Sequence, residues 1–336
     1  MTPSPSDDII TVDGLTVVYP DGTRAVEGIS FRVRRGEFFG FLGPNGAGKS
    51  TTIKTLTTLL RKTSGLVSVA GQDIDRAPEQ VRRNIGVLGQ DTVVDVDLTG
   101  RENLLLFGRL QHVPHELVEK RVDSLLQVVG LEDAANKPAG RYSGGMRKRL
   151  DLASALVHEP KLLFLDEPTT GLDPQSRVAL WEYLETINRE KGVTIFLTTQ
   201  YMEEADRLCQ RIAIIDHGHL IGGGSPRELK AALGGETIEL AFESPADREL
   251  MSRAAQILGT IDGLTHVSRS PSGLSANSPN AGRLISTVVT TLAKADIHPS
   301  ALSVSSPTLD DVFLGLTGRR IRSEELDRKT TEPFLS

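Results

Sequence analysis

The sequence contains one cysteine, Cys209, among its 336 residues. A single cysteine excludes an intrachain disulfide and a cysteine-based metal cluster, which is typical of proteins in a reducing compartment such as the cytoplasm. We interpret Cys209 as a small packed residue and not as a reactive thiol.

Long apolar runs and an excess of positive charge are also missing. No stretch approaches the roughly 18 consecutive apolar residues of a membrane-spanning helix. Residues 1–8 have neither the basic patch nor the apolar segment of a secretion signal. The formal net charge is −6, so the electrostatic footprint of a nucleic-acid-binding protein is absent. We therefore expect a soluble protein with no nucleic-acid partner, which contacts a membrane only through another protein.

Residues 43–50, Gly-Pro-Asn-Gly-Ala-Gly-Lys-Ser, match the phosphate-binding pattern G-x-x-x-x-G-K-[ST] at every fixed position. A short apolar segment precedes them and apolar residues at helical spacing follow, which predicts a strand, a loop and a helix in that order. The glycines permit backbone N–H groups to approach a polyphosphate closely. A chance match in a glycine-rich turn is the alternative interpretation.

This loop supplies most of the predicted nucleotide contacts. We expect Lys49 to bind the β and γ phosphates of a bound nucleotide and the Ser50 hydroxyl to ligate Mg²⁺. The predicted cofactor-binding residues of the loop and the following helix are Gly43, Asn45, Gly46, Gly48, Lys49, Ser50 and Thr51.

Four apolar residues, 162–165, are followed by the carboxylates Asp166 and Glu167. Such a run predicts a strand buried on both faces of a parallel sheet, and ligands bind at the carboxyl ends of these strands. We expect Asp166 to be a Mg²⁺ partner, through water, and Glu167 to orient or deprotonate the attacking water. A capping pair at a strand end is the alternative.

Residues 142–146, Tyr-Ser-Gly-Gly-Met, precede another helical pattern. Ser143 can cap that helix, and Gly144 and Gly145 expose backbone N–H groups at its N-terminus, where an anion is favoured. Serine-glycine helix starts are common, so this signal is weak by itself. We interpret the basic triplet 147–149 as a solvated helix face, and the alternative is that one member approaches phosphate.

The remaining patterns predict the surrounding architecture. Residues 9–33 indicate short strands separated by turns, an antiparallel β layer. Within it Tyr19 could stack on an adenine or be a half-buried strand tyrosine. Residues 91–150 indicate a mostly helical insert, with a capping box at Thr99 and Glu102.

Residues 236–318 are predicted to be a separate unit of order βαββαβ, a small ferredoxin-like α/β module. It contains no catalytic constellation, so we expect an interaction or dimer-stabilising role. Residues 319–336 are polar and charged and are expected to form a flexible tail. The predicted division is 1–235, 236–318 and 319–336.

Together these motifs resemble the ATP-binding subunits of ABC transporters over about residues 9–235. The resemblance implies a RecA-like P-loop NTPase core of α/β class with an antiparallel β layer and a helical subdomain at about 91–150, acting on ATP with Mg²⁺. It implies that Tyr19 stacks on adenine, that Gln90 joins the two lobes and senses Mg²⁺, and that Asp173 lies in a dimer-contact loop. Ser143, Gly144 and Gly145 correspond to the family signature.

Two positions depart from the family pattern. The signature is Tyr-Ser-Gly-Gly-Met where Leu-Ser-Gly-Gly-Gln is common, and Gln200 replaces the switch histidine. With Pro-Thr-Leu-Asp-Asp-Val-Phe at 307–313, these features resemble the daunorubicin/doxorubicin-resistance branch of drug exporters. A glutamine amide can donate to the γ-phosphate but cannot become cationic. We therefore expect a working ATPase whose rate shows no titration from residue 200.

The resemblance also implies an assembly. Each chain carries one phosphate loop and one signature, and in the family two chains meet head to tail. We expect a homodimer that hydrolyses ATP with Glu167 and drives a separate integral-membrane permease through the helical insert, at the cytoplasmic side of the cell membrane. The alternatives are export of a lipid or other hydrophobic metabolite, a soluble ABC ATPase acting on ribosomes or DNA, and a non-catalytic ATP-binding regulator.

Overall fold

The structure of the protein is a computed structural model that describes residues 7–233, 235–243, 247–279 and 281–318. The predicted flexible tail, 319–336, lies outside the described residues. The chain divides into two compact units, Met1–Ser225 and Pro226–Ser336. None of the helices in the described segments combines the length and the hydropathy needed to cross a bilayer.

The first unit contains both strands and helices. Its elements in chain order are β1 (Asp8–Val18), β2 (Arg24–Arg34), β3 (Phe38–Leu42), α1 (Lys49–Leu56), β4 (Ser64–Val69), β5 (Gln72–Asp73), α2 (Pro78–Asn84), β6 (Ile85–Leu88), α3 (Gly100–Leu110), α4 (His115–Val128), α5 (Gly144–Leu156), β7 (Leu162–Asp166), α6 (Pro174–Lys191), β8 (Thr194–Thr199), α7 (Met202–Leu208), β9 (Arg211–Asp216) and β10 (His219–Gly224).

Two sheets form this unit. The antiparallel sheet has the order β2-β1-β4-β5, which confirms the predicted β layer. The second sheet has the order β10-β9-β3-β8-β7-β6, in which all pairings are parallel except that of the edge strand β10. The strands β3, β7 and β8 are buried along their whole length, as expected for a parallel sheet covered on both faces.

Five phenylalanines form a cluster where the two sheets pack together. Phe31 of the antiparallel sheet lies 5.5 Å from Phe41 and 6.0 Å from Phe196 of the parallel sheet, measured between ring centroids. Phe39 and Phe164 pack against Phe196 in the same cluster. Offset rings at these separations add attraction beyond their buried area, and they fix the strand β3 that leads into the phosphate loop.

The helical insert contains α3, α4 and the beginning of α5. The Thr99 side chain accepts from the Glu102 N–H while the Glu102 carboxylate accepts from the Thr99 N–H, so the capping box is confirmed. The helix α5 continues to Leu156, beyond the predicted end of the insert at 150, because its second half is a buried apolar run that packs against β6 of the core.

The second unit contains α8 (Pro226–Ala231), β11 (Glu236–Ala241), α9 (Arg248–Leu258), β12 (Thr265–Ser270), β13 (Gly273–Ser278), α10 (Ala281–Lys294), β14 (Ala301–Ser305) and α11 (Leu309–Thr317). From β11 to β14 it has the predicted βαββαβ order, in an antiparallel sheet of order β12-β13-β11-β14. The unit begins at Pro226, ten residues before the predicted start at 236, because α8 packs against α11. Its role as an interaction module stays a prediction.

Candidate active site

The phosphate loop lies at the carboxyl end of β3 and has glycine where other residues would clash. A Cβ on Gly43 would lie 2.2 Å from the Ile215 carbonyl oxygen, and one on Gly48 would lie 2.5 Å from the Ala25 carbonyl oxygen. Gly48 also has a φ of 109° at the N-cap of α1, a conformation that side chains rarely adopt. This cradle fits a polyphosphate bound by backbone N–H groups at a helix N-terminus.

A cavity of about 260 Å³ brings the predicted residues together. It is lined by Ala25, Asn45, Gly46, Gly48, Lys49, Ser50, Thr51, Gln90 and Glu167. Tyr19 stands beside this set, since its hydroxyl lies 3.1 Å from the Thr51 Oγ1.

Lys49 is buried in this site and has three oxygen partners. Its Nζ donates to the carbonyls of Gly43 at 2.8 Å and Pro44 at 3.0 Å. It also pairs with Glu167 Oε1 at 3.1 Å. Burial lowers the pKa of Lys49, while Glu167 opposes this shift. Three close oxygens hold the ammonium at the centre of the loop.

Asp166 is fixed by two hydroxyl groups. Thr198 Oγ1 donates to Asp166 Oδ1 at 2.5 Å, and Ser50 Oγ donates to the same oxygen at 3.3 Å. The parallel register of β7 and β8 pairs Asp166 with Thr198, so the second hydroxyl comes from the neighbouring strand. A carboxylate held beside the Ser50 hydroxyl of the phosphate loop suits a residue that holds a metal ion through water.

Glu167 follows the strand in a left-handed conformation, with φ of 50°. Its N–H donates to the Thr198 carbonyl at 3.0 Å, and its own carbonyl accepts from Thr170 N–H at 3.2 Å. A non-glycine residue in this region carries strain that its surroundings must hold. Here the left-handed backbone ends the strand, and the Glu167 side chain lies against Lys49.

Gln90 lies two residues beyond the end of β6 at Leu88. The carbonyl of Gly89 beside it accepts from Lys148 Nζ at 2.8 Å. Burial lowers the pKa of Lys148, and the carboxylates of Asp151, Asp166 and Asp91 oppose this shift. The helix α5 thus holds the segment that carries Gln90.

The interpretation of 147–149 as a solvated face is therefore wrong for two of its three members. Lys148 binds the carbonyl of Gly89, and Arg149 donates to the Val129 carbonyl at 2.9 Å and to the Tyr183 hydroxyl at 3.2 Å. Both side chains satisfy backbone carbonyls at the ends of other segments, a tertiary role that a run of three charges does not reveal.

The signature forms a second patch with Asp173. Ser143 caps α5 by accepting from Met146 N–H at 3.2 Å, and Asp173 caps α6 by accepting from Ser176 N–H at 2.9 Å. A Cβ on Gly145 would lie 2.4 Å from Ser176 Oγ, so the two helix starts touch. Ser143, Gly144, Gly145 and Asp173 do not line the 260 Å³ cavity.

Gln200 directly follows β8, next to the strand that ends at Asp166. It is half-buried and does not line the cavity. Cys209 is buried, as predicted, and burial raises the pKa of its thiol.

Comparison with known proteins agrees with this geometry. Residues 26–170 match the family model described as ABC transporter. The chain is 44% identical over 319 residues to the daunorubicin resistance ATP-binding protein DrrA3 of Streptomyces coeruleorubidus, covering 94% of this chain and 99% of the relative. This protein is an ATP-binding subunit of the ABC transporter family.

Two further similarities support the assignment. The daunorubicin/doxorubicin resistance ATP-binding protein DrrA of Streptomyces peucetius is 44% identical over 312 residues, covering 92% of each chain. The dimeric ATP-binding cassette MJ0796, in a post-hydrolysis state bound to ADP and Pi, has a TM-score of 0.59 and 26% identity, covering 64% of this chain and 98% of that one. The chain is thus an ABC ATPase that binds ATP, homologous to drug-resistance exporter ATPases.

Two residues of this site escaped the sequence analysis. Thr198 fixes Asp166 and Lys148 holds the segment of Gln90. A threonine in a strand is expected for its β-branched shape alone, so Thr198 gave no signal. Lys148 could have been singled out only by knowing which side of α5 faces β6.

Proposed function

We propose that this ATPase powers the export of a drug-like hydrophobic compound through a separate membrane permease. The observation that supports this most is the 44% identity to a daunorubicin resistance ATP-binding protein over 94% of this chain. That similarity extends through the second unit, well beyond the cassette motifs.

In the proposed reaction, the Lys49 ammonium gives up its contacts with the loop carbonyls and Glu167 and binds the β and γ phosphates of ATP. Its departure leaves Glu167 free to orient and deprotonate the attacking water. Bound Mg²⁺ would supply positive charge that offsets the negative charge developing on the phosphates. Ser50, Gln90 and Asp166 would hold it, and Thr198 keeps Asp166 aligned.

The separation of the two patches supports a homodimer. Lys49 and Glu167 line the cavity, whereas Ser143 and Asp173 lie on a different patch of the same chain. A second copy placed head to tail would bring its Ser143 patch to this cavity, and Gln200 would then donate to the γ-phosphate. The Tyr19 ring would pack on adenine. We place the dimer at the cytoplasmic side of the membrane, bound to its permease.

Capture of the permease tests this proposal. Tagged Glu167→Gln protein should retain ATP and remain in the closed dimer. The experiment uses this variant to capture partners from detergent-solubilised membranes of the source organism, with and without ATP. Recovery of one polytopic membrane protein, followed by ATP-dependent drug accumulation in vesicles containing both proteins, is the expected result. Transport of a lipid and not of drugs would contradict the proposed drug cargo and identify a lipid exporter. Recovery of ribosomal components would contradict the transporter assignment.

A further inference from the structure

A second, larger cavity of about 750 Å³ lies within the first unit. Its lining includes Lys161 and Val193, which directly precede β7 and β8, and Gly36, which lies two residues before β3. The cavity therefore lies at the amino ends of these strands. The phosphate loop and Asp166 lie at the carboxyl ends of β3 and β7. A five-residue strand spans about 15 Å, so this cavity and the ATP site occupy opposite edges of the same sheet.

The charged residues around this cavity are mostly cationic. Five cationic side chains line it, with one carboxylate: Arg35, Lys120, Arg121, Lys161 and Lys191, against Glu159. That carboxylate is already engaged, because Arg121 pairs with it at 2.6 Å.

The other four cations have no ionic partner among the residues that the structure describes. They cluster on a chain whose formal net charge is −6. All four side chains are exposed, and like charges placed around one concave site repel one another. A bound anion would relieve this repulsion.

The floor of the same cavity is apolar. Leu125, Leu156 and Val157 line it and are buried, whereas Leu117 at the same cavity is 44% exposed. An exposed leucine next to a buried apolar floor offers contact area to an apolar group. The cavity volume lies within the range of about 300–1,000 Å³ that is common for small-molecule sites.

We propose that this cavity binds an amphiphilic anion, a molecule with a phosphate or carboxylate head and a short apolar body. The head contacts Lys161 and Lys191 while the body lies on Leu117 and the adjoining Leu125. Because the ATP site is at the other edge of the sheet, the two ligands bind without competition.

Isothermal titration of the full chain with octyl phosphate, in the absence and in the presence of ADP, tests the proposal. Inorganic phosphate and 1-octanol are titrated in parallel to separate head from body. We expect octyl phosphate to bind at least tenfold more tightly than either fragment, and its affinity to fall as salt is raised. Equal binding of octyl phosphate and inorganic phosphate, or loss of octyl phosphate binding when ADP is added, would overturn the proposal.

Charge reversal locates the site. The double variant Lys161→Glu and Lys191→Glu should weaken octyl phosphate binding at least tenfold and leave ATP binding unchanged. Lys137→Glu is the matched control, since Lys137 is exposed, lies in the same unit and does not line the cavity. If the double variant does not fold, the single variant Lys191→Ala is tested in its place, and a smaller loss of octyl phosphate affinity is expected. Equal effects in the control and the cavity variants would refute the assignment.

Phosphatidylglycerol vesicles distinguish the source of the anion. Vesicle binding that the double variant abolishes would identify a lipid headgroup, and binding of octyl phosphate alone would identify a soluble molecule. Both results support the site.

Discussion

Thr198→Val removes one hydroxyl next to Asp166 and preserves the shape of a β-branched side chain. Thr198 is fully buried, and its bond to Asp166 Oδ1 is 2.5 Å long. Hydrogen bonds to charged groups contribute about 1.5–3 kcal/mol. If Asp166 must keep its orientation in the transition state, this range predicts a fall in kcat of about tenfold to a hundredfold.

The same strand supplies a matched control. Thr194 is also buried, and its hydroxyl accepts from Gly36 N–H at 2.9 Å, at the opposite end of β8. Thr194→Val therefore makes the same chemical change at similar burial, away from Asp166. It should lower the free energy of unfolding by about 1 kcal/mol and leave kcat nearly unchanged.

The assay is steady-state ATP hydrolysis as a function of ATP and Mg²⁺ concentration, well below the melting temperatures of both variants. Thr198→Val should lower kcat and require more Mg²⁺ for half-maximal rate, because Asp166 is the proposed metal partner. A Thr198→Val protein with unchanged kcat, or with a loss no larger than that of Thr194→Val, would refute this reasoning.

Three further predictions follow from other contacts. Lys148→Met should lower kcat about three- to tenfold with little change in KM for ATP, because it frees the Gly89 carbonyl beside Gln90, and Lys148→Arg should recover part of the rate; a change in thermal stability alone would contradict this. Burial raises the pKa of Glu204, so the unfolded chain loses this proton at a lower pH than the folded protein, and stability should fall as pH rises between the two values. Glu204→Gln should remove that part of the dependence in melting temperatures measured across pH, and identical profiles for both proteins would refute it. Gln200→His should introduce a near-neutral ionisation into the pH–rate profile that the parent lacks, whereas an ionisation that disappears in Gln200→Ala would show that the parent already depends on residue 200.

The sequence could predict those parts of the site that lie in fixed local patterns. The phosphate loop and the strand before Asp166 follow from spacing and from consecutive apolar residues, because both are determined within about ten residues of chain. The capping box at Thr99 is local in the same way and was found for the same reason.

What escaped prediction depends on contacts between distant segments. Thr198 acts on Asp166 only because β8 lies beside β7 in the sheet, and strand order is not written in either strand. Lys148 was assigned to solvent because its bond to Gly89 joins two parts of the chain that pack only in the folded unit. The start of the second unit was misplaced because α8 packs on α11, which lies far along the sequence.

Complementation between two inactive variants tests the central claim most directly, namely that two chains complete each ATP site. Lys49→Ala removes the phosphate lysine, and Ser143→Arg blocks the signature patch, so each homodimer should be inactive. In a mixed dimer, the intact Lys49 of one chain meets the intact Ser143 of the other, which leaves one complete site. The account predicts that mixing the two proteins restores ATP hydrolysis, with a rate that depends on protein concentration. Absence of activity in mixtures shown by tag-based pull-down to contain mixed dimers would contradict it.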